Sequence, residues 1–250
     1  MLSSEQFTTS VRDSRQFLYL KKFVERYFSD IKVVMYIRAQ ESWINSRVSQ
    51  CARGGVSRSF DQLLKSKEND YLQFLKPWWE CFGKERISMR ILDKKYLVDG
   101  DLISDFMHVI DGAVNSELAF PKPTNESLSN DAIQFLQVFN KIVPRYIDPK
   151  TVNTDRDGLM MMMEKFSVGK EKSMLSQEQV LEIRSRYEKS NDQLREMFFP
   201  DRDELFPLDL SKCGENVEFS IESAVSISAF LWERQQERIR NLKRKARLSV

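Results

Sequence analysis

Two short apolar runs rich in β-branched residues lie in the first half of the chain. IKVVMYI covers residues 31–37 and RISMRIL covers residues 86–92, and each has the length and composition of a strand. Elsewhere apolar residues recur at intervals of three and four, which predicts helices. The predicted helices cover residues 6–29, about 42–54, 71–83, 101–112, 129–143, about 150–166, 176–198 and 219 to near the end of the chain. This order favours an α/β fold, a small parallel sheet with helical cover, followed by an entirely helical second half.

Local signals refine the predicted boundaries. Ser42 is a candidate N-cap for the helix after the first strand, and Ser127 or Ser129 is one for the helix at 129–143. Pro77 lies inside the helix at 71–83 and is expected to bend or break it, because proline has no N–H to donate. Residues 56–67 are mostly polar, and we expect a mobile segment there.

Composition and charge exclude several classes of protein. The chain has 250 residues, of which 41% are hydrophobic and 30% charged, as in globular proteins with a sizeable core. A net charge of +2, from 39 basic and 37 acidic residues, argues against nucleic acid as a partner. No apolar run reaches the roughly 18–20 residues of a membrane span, and residues 1–17 contain no stretch like the apolar region of a signal peptide. The three cysteines are far apart and form no paired motif, which predicts reduced thiols and a cytoplasmic location.

Arg38 and Ser46 form the first candidate site. Arg38 follows the strand at 31–37, and parallel sheets bind ligands beyond the carboxyl ends of their strands. Its guanidinium suits bidentate contact with a phosphate. Ser46 lies near the beginning of the next helix, where the helix dipole favours anions. The two side chains are therefore candidates for binding one phosphate. The alternative is a surface arginine and a solvated serine, since such a pair is common by chance.

The stretch YIRAQESWINSRVSQCARGG, residues 36–55, resembles a segment of the P-loop sulfotransferases. In that superfamily the segment binds the 3′-phosphate of the donor 3′-phosphoadenosine 5′-phosphosulfate (PAPS), with an Arg at the end of a strand and a Ser eight residues later. The likeness is to the bacterial branch that modifies carbohydrates, and it extends over roughly residues 1–206. The other similar segments, in order, are LSSEQF, DYLQFLKPWWECFGKERISMRIL, DLISDFMHVIDG, NESLSNDAIQFLQVFN and MLSQEQVLEIRSRYEKSNDQLREMFFPDRDELF.

The resemblance implies transfer of a sulfuryl group from PAPS to a carbohydrate or glycolipid acceptor. An acceptor oxygen attacks the sulfur in line, and 3′,5′-adenosine bisphosphate (PAP) leaves, with no metal ion. Relatives place a Glu or His after their second strand to take the acceptor's proton, and Glu5 is the only carboxylate in the matching turn. The alternative for Glu5 is a first-turn acid that the helix dipole favours.

One part of the family pattern has no counterpart in the sequence. Sulfotransferases begin with a strand and a Lys-containing loop that cradles the 5′-phosphosulfate, and SVGKEKS at 167–173 lacks the required spacing. We expect the absent segment to belong before Met1, or the chain to be a decayed relative, and in either case to be inactive as it stands. We also expect a parallel sheet of about three strands, with a gap or an open edge beside residues 32–37. Such open edges would favour self-association.

A late basic loop is a second element that the resemblance implies. Some sulfotransferases hold the donor's adenosine and 3′-phosphate with a loop that contains Gly, and Gly169, Lys170 and Lys172 occupy such a position before the helix at 176–198. The alternative is a solvated connector.

Four other residues are weaker candidates. Three of them have both a ligand-binding and a structural interpretation, and the fourth has a structural interpretation. Arg53 either faces the phosphate or is a surface charge at a helix end. Trp78 and Trp79 either stack on a sugar or pack in the core. His108 is interpreted as structural, because the resemblance places no catalytic group there.

The last segment, WERQQERIRNLKRKARLSV, predicts a basic helix with a thin apolar seam. It is expected either to contact an anionic membrane surface or an acidic glycan, or to be a solvated tail. The predicted domains are therefore a sulfotransferase-like domain at 1–210, incomplete at its beginning, and a basic helical extension at 211–250.

Two rival functions remain open. A non-catalytic scaffold that binds a nucleotide or a partner would retain the fold without the chemistry. A P-loop kinase relative would need the absent loop and a magnesium site, and no suitable Asp follows the strand at Arg38.

Overall fold

The computed structural model describes residues 7–58, 60–66, 69–110, 128–148, 150–170, 175–214 and 219–248. The chain forms two compact units. The first unit comprises Met1–Gln40, Ser66–Phe120 and Arg184–Leu208, and the second comprises Glu41–Lys65, Pro121–Ile183 and Asp209–Val250. The predicted division at residue 210 stays a prediction.

Helices dominate both units. The helices are α1 Phe7–Ser10, α2 Ser14–Tyr27, α3 Gln40–Arg53, α4 Phe60–Leu64, α5 Tyr71–Phe82, α6 Leu102–Val109, α7 Asn130–Ile142, α8 Asp155–Phe166, α9 Gln177–Phe198 and α10 Ile221–Leu248. The strands are β1 Val33–Ile37, β2 Ile87–Ile91, β3 Tyr146–Asp148 and β4 Thr151–Val152. The chain is therefore helix-rich with a small parallel sheet, as an α/β fold requires.

The parallel sheet consists of β1 and β2. The strands pair in register from Val33 opposite Ile87 to Ile37 opposite Ile91, and Leu92 N continues the ladder with a bond of 2.7 Å to the Ile37 carbonyl. The predicted gap beside residues 32–37 is wrong, because β1 and β2 hydrogen-bond to each other directly. The alternative, an open edge, agrees with the described residues, in which β1 has β2 as its one neighbour. In the described part of the chain the parallel sheet has two strands rather than about three.

Direct pairing gives the first unit a continuous apolar surface. Side chains alternate between the two faces of a strand, and those on one face join the helices α2 and α5 in the core. Its buried residues are Phe17, Val24, Met35, Ile37, Tyr71, Leu75, Trp78, Phe82, Ile87, Met89, Ile91, Leu194, Leu205 and Phe206. Helix α5 is continuous through Pro77, so the proline does not break it.

The predicted helix at 6–29 is wrong as a single element, because a new helix begins at Ser14. The Asp13 carboxylate accepts hydrogen bonds from the backbone N–H groups of Arg15 and Gln16, both at 2.9 Å. The Gln16 side chain accepts one from Asp13 N at 3.2 Å. This capping box satisfies the first N–H groups of α2 and separates it from α1.

Two further predictions are wrong near α3 and α4. Helix α3 begins at Gln40, so Ser42 lies within it and is not its N-cap. The segment 56–67 contains the helix α4, whose Leu63 and Leu64 are buried. Two adjacent leucines give this polar segment enough apolar area to pack.

The second unit departs from the prediction at a small hairpin. Strands β3 and β4 pair antiparallel, so the second half is not entirely helical and α8 begins at Asp155 rather than near 150. The Asp148 carboxylate accepts bonds from Lys150 N at 2.8 Å and Thr151 N at 3.0 Å, which forms the tight turn. Ser129 is the N-cap of α7, as predicted, and accepts from Ala132 N at 3.4 Å.

Among the described helices, none combines the length and the apolar character that crossing a membrane requires.

Candidate anion-binding site

Arg38 lies at the carboxyl end of the parallel pair. Because Ile37 and Ile91 are register partners at the ends of β1 and β2, both strands end at the same edge of the sheet. The Arg38 side chain is partly buried. Burial lowers its pKa by removing water from the charged guanidinium, and an electrostatic interaction with Tyr71 partly opposes this. The cation therefore lies at the carboxyl edge of the parallel pair, near Tyr71 at the beginning of α5.

The guanidinium of Arg38 meets no carboxylate among the described residues, and no hydrogen bond to it occurs there. Other described arginines form ion pairs. Arg90 pairs with Asp105, and Arg53 pairs with Glu164. A partly buried charge without a counter-ion costs free energy. An anion that binds at this edge would remove that cost.

Helix α9 fixes the backbone on either side of this edge. The Gln40 and Asn191 side-chain amides bond to each other in both directions, at 2.7 and 3.2 Å. Gln40 Nε2 also donates to the Asn69 carbonyl at 3.4 Å, and Ser190 Oγ donates to Asp70, the N-cap of α5. The residue pair Ser190 and Asn191 was not among the sequence candidates. Its signal was two adjacent polar residues within an amphipathic helix.

The other face of the strand pair carries a buried carboxylate. Asp105 of α6 accepts a hydrogen bond of 2.7 Å from Tyr36 Oη, one of 3.0 Å from Arg90 Nε, and a second from Arg90 Nη2. The backbone N–H of Val98 donates to it at 3.1 Å. Because Tyr36 and Arg90 are register partners, one carboxylate joins both strands to α6.

These contacts determine the protonation of the cluster. Burial of Asp105 would raise its pKa, but hydrogen bonds from Arg90, Tyr36 and Val98 outweigh burial and lower the pKa to about 2. Burial, and then the bond to Asp105, raises the pKa of Tyr36 above its ordinary value. The cluster therefore stays ionised as a carboxylate and a guanidinium at neutral pH, which leaves its charges internally compensated.

The predicted partner of Arg38 belongs to the other unit. Ser46 is a partly buried residue of α3 in the second unit, whereas Arg38 belongs to the first. Binding of one phosphate by both therefore stays a prediction. Glu5 and Lys172 lie outside the described residues, and their roles also stay predictions.

Gly169 and Lys170 follow the end of α8. Gly169 has a φ of 73°, a left-handed conformation that favours glycine, and its surroundings leave open space where a Cβ would lie. The ammonium of Lys170 lies 3.2 Å from the centroid of the Phe166 ring. The backbone conformation explains why a glycine occupies position 169, and the ring contact gives Lys170 a structural role. Donor binding by this loop stays a prediction.

Trp78 packs in the core, as one of its two interpretations predicted. Its ring is buried and meets Phe17 edge-on, with the centroids 5.1 Å apart. Trp79 is partly buried against the same core and contacts Phe198 at 5.4 Å. Stacking of Trp78 on a sugar is therefore wrong.

Arg53 and His108 are also placed. The ion pair of Arg53 with Glu164 joins α3 to α8 within the second unit, a partner that neither interpretation of Arg53 predicted. His108 is exposed in the last turn of α6. No group of three or more His, Cys, Asp or Glu side chains that could hold a metal ion occurs in the described ranges.

No family model matches the chain, and no solved structure matches it. An uncharacterized protein of Archaeoglobus fulgidus is 29% identical over 130 residues, which are 52% of this chain and 35% of that protein. The chain therefore spans about a third of the length of the curated relative it matches.

Proposed function

We propose that the edge of the strand pair at Arg38 binds the 3′-phosphate of PAPS, and that the protein is a sulfotransferase-like domain acting on a carbohydrate or glycolipid. The observation that carries the proposal is the partly buried guanidinium of Arg38, which has no anionic partner among the described residues. The resemblance of residues 36–55 to the donor-phosphate segment of sulfotransferases supplies the identity of the ligand.

A phosphate fits this edge better than a carboxylate does. The phosphate carries two negative charges and several acceptor oxygens, and a guanidinium forms two parallel bonds with it. Tyr71, the first residue of α5, interacts electrostatically with Arg38, so the positive end of the α5 helix dipole lies near the guanidinium. Both features favour a dianion over a single charge.

The chemistry that the resemblance implies needs no change of oxidation state. The acceptor oxygen forms a bond to sulfur as the bond from sulfur to the bridging phosphate oxygen breaks, and PAP carries away that electron pair. The acceptor's proton passes to a base, for which Glu5 is the proposed residue. A P-loop type of sheet is the arrangement proposed with this chemistry, and the parallel pair with Arg38 at its carboxyl edge supports it.

Thermal unfolding in the presence of two nucleotides tests the donor site. PAP and 5′-AMP share the adenosine and the 5′-phosphate, and only PAP has the 3′-phosphate. We expect PAP to raise the melting temperature clearly more than 5′-AMP does at equal concentration, since the stabilisation grows with the logarithm of one plus the ratio of ligand concentration to Kd. Equal shifts, or none with either nucleotide, would contradict the proposal.

A transfer assay separates the enzyme from its main rival. Incubation with PAPS labelled in the sulfuryl group and a mixture of glycans and glycolipids measures transfer directly. Because the sequence shows no phosphosulfate loop, the assay compares the chain alone with the chain fused to a sulfotransferase strand and loop. Transfer by the fused chain supports the enzyme, and binding of PAP without transfer in both cases supports a nucleotide-binding scaffold.

A further inference from the structure

Helix α10 carries an apolar line on the side that faces away from its own unit. Ile227 is fully buried, and the Phe230 ring packs on Phe166 at 5.4 Å. Val225, Trp232 and Ile239 recur every seven residues on the nearly opposite side of the helix. Their side chains are 60%, 67% and 37% exposed. This line, which we call the outer line, is left uncovered.

Cations surround the later part of the outer line. Leu242, which is 58% exposed, extends the line by one turn. Arg238, Arg240, Lys243 and Arg244 are all exposed, and no acidic residue lies between positions 238 and 244. The surface therefore combines large apolar side chains with a concentrated positive charge.

The combination favours one kind of partner. A second copy of α10 side by side would bring like charges together, and of its few acids Glu237 already pairs with Arg234 at 2.9 Å. A soluble polyanion would use the cations but would leave the tryptophan and the leucine in water. An anionic lipid surface meets both requirements, because acyl chains accept the apolar line and headgroups accept the cations.

We propose that α10 lies in the plane of a membrane that contains anionic lipid, with Trp232, Ile239 and Leu242 inserted below the headgroups. At 1.5 Å per residue, positions 232 to 242 span about 15 Å along the surface. That length suits a helix lying in the interface and is about half of what crossing the hydrocarbon core needs. This proposal is independent of the proposed sulfotransferase function.

Cosedimentation of the full chain with vesicles tests the proposal. We expect binding to vesicles of phosphatidylcholine with about a third phosphatidylserine, and little binding to phosphatidylcholine alone. The double variant Trp232→Ser/Leu242→Ser is expected to lower the partition about tenfold or more, since each side chain buries apolar area in the bilayer. The matched control is Leu181→Ser, because Leu181 is 48% exposed and belongs to another helix, α9. It is expected to leave the partition unchanged.

Two further measurements separate insertion from simple charge attraction. Lys243→Gln/Arg244→Gln should weaken binding and reduce its dependence on salt. The fluorescence of Trp232, taken as the difference between the native chain and Trp232→Phe, should shift to shorter wavelength on anionic vesicles.

Three results would overturn the proposal. The first is the absence of binding to anionic vesicles. The second is binding that the Trp232→Ser/Leu242→Ser variant retains without a fluorescence shift, which would indicate attraction by charge alone. The third is a native chain that does not bind vesicles but forms an oligomer in solution, together with a monomeric Trp232→Ser/Leu242→Ser variant. This result would indicate that the outer line binds a second copy of the chain.

Discussion

The phenol of Tyr36 donates a hydrogen bond of 2.7 Å to the Asp105 carboxylate, although the two residues are 69 positions apart. Tyr36 belongs to β1, and its register partner Arg90 in β2 binds the same carboxylate. Asp105 therefore holds α6 against the face of the strand pair that is turned away from α5. The edge that carries Arg38 depends on this pair of strands remaining in register.

Replacing Asp105 with asparagine is expected to lower the free energy of unfolding by about 3 kcal/mol. The amide would keep the volume but would lose the charge that compensates Arg90 and would place N–H groups against two donors. Chemical denaturation followed by circular dichroism measures the change.

Asp99→Asn is the matched control for that variant. Asp99 is exposed and has a φ of 54°, a conformation that asparagine tolerates well. The same chemical change there should alter stability by only a few tenths of a kcal/mol. If both variants lost similar amounts of unfolding free energy, the Asp105 cluster would contribute no more to stability than an exposed aspartate does.

The stability of the protein should depend on the ionisation of Asp105 in acid. The pKa of this carboxyl is about 2 in the folded state, against an ordinary value of 3.8. Its contribution, about 2 kcal/mol, is therefore complete above about pH 4 and is lost as the pH falls toward 2. Denaturation midpoints measured between these values should fall more steeply for the native chain than for Asp105→Asn. Parallel profiles would contradict the assignment.

The amide pair of Gln40 and Asn191 should show energetic coupling. Each alanine variant removes the amide that the other side chain bonds to, so the second substitution should cost less than the first. A double-mutant cycle on unfolding free energy is expected to give a coupling of about 1–2 kcal/mol. Additive losses would mean that the two side chains act independently.

Sequence pattern predicted the elements whose signals are local. The strands near 31–37 and 86–92, the helix α7 and its cap at Ser129 depend on periodicity and on one capping residue. The break before α2 was also local, because Asp13 and Gln16 form a capping box that the sequence displays. It was missed because apolar residues continue on both sides of the break.

The partners across the fold could not be read from the pattern. The sequence marked Arg38 as a candidate, but its lack of a counter-ion depends on where every carboxylate of the first unit lies. The burial of Asp105 depends on two strands and a helix meeting. Its one local signal is an acidic residue on the same face of α6 as Leu102 and Val109. The direct pairing of β1 with β2 likewise depends on which apolar surfaces meet, and the family pattern suggested otherwise.

The affinity of PAP for Arg38 variants, measured by titration calorimetry, tests the central claim most directly. Loss of a charge-assisted contact costs roughly 1.5–3 kcal/mol, so Arg38→Ala should bind PAP about ten- to a hundredfold more weakly, and Arg38→Lys should fall between it and the native chain. Arg15→Ala is the control. Arg15 is exposed in α2 of the same unit, and its replacement by alanine removes the same positive charge as Arg38→Ala does. The account predicts native affinity for Arg15→Ala and a large loss for Arg38→Ala. Equal PAP affinity in the native chain and Arg38→Ala, or no PAP binding by the native chain, would contradict it.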